Sequence, residues 1–232
     1  HTMNILDRIT LFQPLDFVAV GLLFALWFLV GLRVEHSSAK NMSTSRIMAE
    51  YRREWMRQMV TRQPRIFDAQ VLGTLRQGTA FLASTSVIAI GGTLALIGNA
   101  ERLAGVAEDI TMVDQPAIVW ELKLLVLAVF LTNAFLKFVW SNRLFGYCAV
   151  LMGSVPNEVD HPDAYTRAEQ SAQINITAAR GFNRGLRSLY FALASAAWLA
   201  GPVPLLIASL FTVIVIWRRE FASESRKILL NT

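Results

Sequence analysis

Apolar positions gather into four long runs, Leu15–Leu32, Thr79–Gly98, Ile118–Trp140 and Leu189–Trp217, and most of the charge falls between them. With their flanking turns they predict spans at about 15–32, 72–98, 118–141 and 188–217. At about 1.5 Å per helical residue each run reaches, or nearly reaches, across a hydrocarbon layer of about 30 Å. The expected fold is therefore all-α: an integral membrane helical bundle with four transmembrane segments plus cytoplasmic helices, in one membrane domain over 1–232.

The last run is the difficult one, because Gly201-Pro202-Val203-Pro204 interrupts it. Pro202 and Pro204 lack amide donors and clash with the preceding turn, so the helix is kinked or broken there. A tilted, kinked single span leaves Arg218, Arg219, Arg226 and Lys227 on the outer side. A hairpin returns them inward, but its arms are only about 20 Å long and its turn needs protein or water around its backbone. The expectation is the single kinked span.

Charge orients the rest. Arg33, Lys40, Arg46, Arg52, Arg53, Arg57, Arg62 and Arg65 lie between the first two spans, against Arg8 before them and Arg102 after. The excess of cations on the inner side predicts cytoplasmic segments at 33–70 and 142–187, an external loop at 99–117 and an external N-terminus. The membrane expected, on grounds other than charge, is a bacterial inner membrane. His1-Thr2 ahead of Met3 reads as a cloning remnant, with native numbering expected from Met3.

Within the first cytoplasmic segment Met48, Tyr51, Trp55 and Met59 recur at helical spacing, with Arg46, Glu50, Arg53 and Arg57 on another face. Such a helix either lies at the headgroup boundary, with Trp55, Arg53 and Arg57 as lipid-interface residues, or packs on the protein's own helices. After Pro156 and His161-Pro162, Asp163 or its predecessors can cap a helix from Ala164 to Ala200. Ala168, Ala172, Ala178 and Ala179 admit a close neighbour to it, and Gly181 and Gly185 weaken it. In the second span Ala80, Ser84, Val87, Gly91, Ala95 and Gly98 form a small-residue strip that marks a helix–helix interface within or between subunits.

Composition removes other classes. The chain has 54% hydrophobic residues and a mean hydropathy of +0.42, leaving no room for a separate soluble enzyme domain. Its net charge of +5 comes without any nucleic-acid recognition module and is placed in the membrane loops. The lone Cys148 excludes an internal disulfide, and three histidines are too few for a Cys/His metal cage. His36 and His161 lie in polar connections, so paired haem ligation is not expected. Phosphate-loop, metalloprotease and esterase motifs are absent. No catalytic residue, metal or cofactor is predicted.

Two polar groupings remain. Lys123, Phe130, Asn133, Lys137 and Trp140 share one side of the third span, with Asn133 and Lys137 one turn apart; Lys137 either snorkels inward or faces a polar pathway. Glu121 and Lys123 are expected as interfacial charges. Positions 176, 180, 183 and 187 share a helical face, so Arg180, Asn183 and Arg187 point together, with Arg76, Asn142 and Arg143 expected at similar depth. Guanidiniums interleaved with amides suit phosphate headgroups or a permeant anion, as well as simple interfacial solvation. The candidate polar pathway or anion site is thus Asn133, Lys137, Arg76, Arg180, Asn183 and Arg187.

The run from Ala178 to Phe191 (AARGFNRGLRSLYF), Trp198-Leu199-Ala200-Gly201-Pro202, and Lys137-Phe138-Val139-Trp140-Ser141-Asn142-Arg143 resemble the domain of unknown function 599 family of bacterial and plant membrane proteins. The likeness extends over nearly the whole chain and implies architecture only. The leading functional expectation is a homo-oligomeric channel or transport protein for a small ion or solute, with an anionic preference. The alternative is a non-conducting scaffold or anionic-lipid-binding partner protein.

Overall fold

The computed structural model describes residues 11–102, 104, 105 and 115–230, and every regular element among them is helical. Helix α1 (Pro14–Glu35) opens with proline at its first position, and the Gln13 backbone amide donates to Asp16 Oδ2 at 3.0 Å. After a 3₁₀ turn at Ala39–Asn41, α2 (Thr44–Thr61) is capped by Ser43, whose hydroxyl accepts from the Arg46 amide. Then come α3 (Ile66–Ile97), α4 (Ala117–Gly153) and α5 (Ala164–Ala196), the last running into a 3₁₀ turn at Ala197–Ala200. Helices α6 (Pro202–Phe221) and α7 (Glu224–Leu230) complete the chain.

Three helices, α1, α3 and α4, are long and apolar enough to cross a membrane, and not four. The difference lies in the last run. Helix α5 stops short of Gly201, which adopts φ 118° and ψ 173°, a conformation open in practice to glycine alone. Helix α6 then starts at Pro202, where the missing amide costs no hydrogen bond. Arg219 near the end of α6 donates to the Tyr190 hydroxyl, and Ser45 links Asn183 of α5 to Glu220 of α6. The two helices are therefore antiparallel, and the hairpin replaces the expected single kinked span.

The turn has the protein cover it needs. Trp198 is buried and its indole donates to Asp16 Oδ1 at 2.6 Å, while Phe12 packs on the same ring system. Lys123, expected as an interfacial charge, is buried, at 4% exposure. Its ammonium lies 5.0 Å from the Trp120 ring centre and 6.0 Å from that of Trp198. The hairpin tip roofs it over. Helix α6 runs parallel to α1: Phe12 meets Trp198 at one end, and Arg33 lies over Trp217 and Phe221 at the other.

At 37 residues α4 is about 55 Å long and overshoots any bilayer core. It continues past the expected boundary at 141, and α3 begins at Ile66, inside the segment expected to be cytoplasmic. These overhangs, with α2 and the first half of α5, form a second layer around Met56, Met59, Phe145, Cys148, Ala168 and Ala172. The layer between α1, α4, α5 and α6 is built on Leu23, Phe130, Phe191 and Leu205.

The small residues of α5 do admit α4 closely. Ser141 Oγ donates to the Ala178 carbonyl at 2.7 Å, and a Cβ at Gly185 would stand 2.7 Å from Phe138 Cε1. Asp163 makes no capping bond from its side chain and pairs with Arg167 instead. On α3, by contrast, Ala80, Ser84, Val87, Gly91, Ala95 and Gly98 are all exposed, while Thr79, Ala83, Ser86 and Thr93 face inward. The strip is no interface among the described residues of this chain. Glu108, Asp109 and Asp114 of the expected external loop, together with His1, Thr2, Met3 and Arg8, lie outside the described residues.

Candidate functional site

Glu35 closes α1, and Gly31, one turn earlier, lies beside the Arg187 side chain: a Cβ on Gly31 would stand 3.9 Å from Arg187 Nε, an ordinary contact. The Glu35 carboxylate receives both Arg184 and Arg187 of α5, with Arg184 Nε at 2.9 Å and the terminal nitrogens of both arginines also bonded. Arg187 is buried and Glu35 half-buried, so this is a charge cluster in reduced dielectric and a stronger interaction than a surface pair.

The cluster divides two openings. On one side a lateral cleft of about 250 Å³ runs between α1, α4 and α5. Its walls are Trp27, Phe28, Gly31 and Leu32, and its polar end holds Asn133, Lys137, Arg184 and Arg187. Asn133 is tied by donating to Ser188 Oγ at 2.6 Å. Lys137 makes no hydrogen bond or ion pair among the described residues.

On the other side an inner cavity of about 70 Å³ lies between the end of α1, α2 and α5. Ile176, Arg180, Asn183 and Arg187 all line it, as the helical spacing predicts, and Ser45, Arg46 and Arg52 of α2 face them. Arg46 donates to the Ser37 carbonyl, and Arg52 donates to Asn175 Oδ1. Burial pulls the Arg52 pKa below the ordinary arginine value, yet a guanidinium stays charged, so Arg52 is a cation in a poorly solvated place with a neutral amide as its partner.

Five of the six candidate residues thus fall into two adjoining compartments that share Arg187. Arg76 does not join them. It is exposed on α3, with its guanidinium near Gly146 of α4. Arg143 is likewise remote, donating to the hydroxyl of Tyr147 one turn on.

The proposed lipid-interface residues separate as well. Helix α2 buries Ile47, Met56, Met59 and Val60 against its own neighbours, whereas Met48 and Tyr51 are exposed. The Trp55 indole turns inward and donates to Asp68 Oδ1 at 2.7 Å. Arg53 pairs with Glu50 and Glu169, and Arg57 with Glu54, all at the surface.

The family described as "Protein of unknown function, DUF599" matches this chain over residues 18–225. The chain belongs to that family. The matched stretch holds both compartments, all three long apolar helices except the first turn of α1, and the whole hairpin. No curated protein and no solved structure matches.

Glu35 and Arg52 are the functional candidates that the sequence pattern does not single out, whereas Arg184 belongs to the polar cluster with Arg180, Asn183 and Arg187. Glu35 is the sole acid between Arg33 and Ala49, placed where an apolar span meets an arginine-rich segment. That isolation is the available signal.

Proposed function

We propose that this member of the family binds an anionic amphiphile, a phosphate-bearing lipid headgroup, in the lateral cleft at the cytoplasmic side of the membrane. The supporting observation is the cleft's division of labour: Trp27, Phe28 and Leu32 suit an acyl chain, and Lys137, unpartnered among the described residues, suits the phosphate together with Arg184. The orientation is supported by the cation-rich segment between α1 and α3, with the end of α1 then at the inner headgroup level. Helix α6, held parallel to α1, enters the bilayer with it in this reading.

Lipid retained by purified protein tests the proposal. Each basic residue near a membrane surface contributes about 1 kcal/mol toward anionic lipid, so Lys137→Gln should weaken retention of phosphatidylglycerol about fivefold and leave phosphatidylcholine unchanged. Equal retention of both lipids by the wild type would defeat it.

A second reading, a homo-oligomeric pore or transport protein, is favoured by the outward-facing strip on α3, since close packing of small residues drives helix association in lipid. Phe24, Phe130 and Phe191 stack across the interior, with ring centres 5.0 and 6.3 Å apart, so a conducting path would run between copies. Two measurements distinguish it: flux of chloride, nitrate or cations through proteoliposomes, and disulfide cross-linking between copies carrying Ser84→Cys on the strip, with Ser84→Ala as the control.

A further inference from the structure

Charge does not balance in the inner cavity. Arg46, Arg52, Arg180 and Arg187 converge on it, and Glu35, the one acid lining it among the described residues, is already committed to Arg184 and Arg187. A further carboxylate, Glu220, accepts from the Ser45 amide at 3.0 Å and from its hydroxyl at 2.8 Å, and lines an adjoining cleft with Arg52 and Asn183, but forms no ion pair with the four arginines among the described residues. Arg180 has no hydrogen bond or ion pair among the described residues, and Arg52 has only the Asn175 amide. Arg52 is the poorly solvated one, and such a cation without a bonded counter-ion is costly, while Arg180 lines the same cavity from an exposed position; a cavity lined this way favours an anion over water.

Size and donor geometry narrow its class. By the same measure of volume one water needs about 10–15 Å³, so 70 Å³ holds a few waters or a single four-oxygen anion. The donors are guanidinium forks, joined by Asn183, which lines the cavity beside Ser45 and donates to its hydroxyl at 3.1 Å. Planar forks match the paired oxygens of a tetrahedral oxyanion and have less advantage with a spherical halide. The Arg187–Glu35 pair stands between this cavity and the lateral cleft.

We infer that the inner cavity is a second, separate site, for a free small oxyanion of the phosphate or sulfate class, held principally by Arg52 and Arg180. It does not depend on the lipid-binding reading, because neither arginine lines the lateral cleft.

The test is titration of purified protein in neutral detergent with inorganic phosphate, followed by calorimetry and by thermal unfolding, with chloride at matched ionic strength as reference. Saturable binding with a rise in unfolding temperature that chloride does not give is expected. Arg180→Gln, a substitution at an exposed side chain that leaves the packing intact, should weaken it at least about fivefold, as loss of one charge-assisted contact implies. Arg52→Lys keeps the charge but loses the fork and should weaken it too, whereas Lys137→Gln in the cleft should not. Phosphate and chloride acting alike, or Arg180→Gln binding phosphate as the wild type does, would overturn the inference. So would an Arg180→Gln protein that loses anionic lipid while the wild type shows no response to phosphate, since the headgroup would then be the source of the phosphate chemistry.

Discussion

Gly185 and Gly201 are both glycines in the same helical hairpin, but they are required for opposite reasons. At Gly201 the backbone angle is the constraint: a side chain there has space, with Pro204 Cδ 3.9 Å away, but not the conformation. At Gly185 the conformation is ordinary and the space is missing, because the Phe138 ring lies under it and is itself packed against Phe182. Replacing a helical glycine by alanine normally gains up to about 1 kcal/mol. Gly73→Ala on the exposed side of α3, where nothing lies within 4 Å, should show that gain. Gly185→Ala should instead cost about 1–3 kcal/mol through overpacking. Thermal unfolding in detergent reads both, and the opposite signs are the prediction. A stabilised Gly185→Ala protein would mean that α4 and α5 do not approach as described.

At the scale of elements, what the sequence makes legible is what depends on local pattern. The amphipathic spacing of Ile176, Arg180, Asn183 and Arg187 puts four residues on one cavity without any knowledge of what faces them. Helix α2 is legible as a helix but its buried face is not: Trp55 is drawn inward by Asp68, which lies 13 residues later in the chain and is fully buried. Glu35 is hidden for a related reason, since the two arginines that define its role come from α5, 149 and 152 residues further on. The hairpin is legible in the sequence only as the less favoured of two topologies, because its arms fall short when measured on hydrophobic length alone. Polar anchors extend them, as Glu220, just past the apolar run, secures the end of α6 to the start of α2 through Ser45, with Thr44 donating to its carbonyl at 3.1 Å. Glu220→Ala should remove two charge-assisted hydrogen bonds and cost about 1.5–3 kcal/mol. Hydrogen exchange should then quicken in α7 and the last turn of α6 while α4 keeps its protection; exchange that quickens uniformly would show that the contact is not a local anchor.

For the whole molecule, the hairpin decides on which side the chain ends. Arg226 Nε donates to the Met42 carbonyl at 2.9 Å and its Nη2 to Asn41 Oδ1 at 3.0 Å, so the C-terminal helix is fastened to the segment between α1 and α2. If the three apolar helices cross, a following re-entrant pair or two further passes give the same result, because α5 and α6 are antiparallel in either case. It also removes the conflict with charge: Arg218, Arg219, Arg226 and Lys227 join Lys40, Arg46 and Arg52 on one face, as the positive-inside rule favours. The sole thiol of the sequence, Cys148, is buried, which leaves a quiet background for labelling. Single cysteines at the exposed positions Lys40 and Glu224 should therefore react with a membrane-impermeant maleimide from the same side, in inverted vesicles and not in intact cells. If Glu224→Cys were labelled in intact cells while Lys40→Cys was protected, α6 would leave the bilayer opposite to α2. The Ser45–Glu220 and Asn41–Arg226 contacts could not then exist, and the inner cavity would lose the wall that α2 gives it.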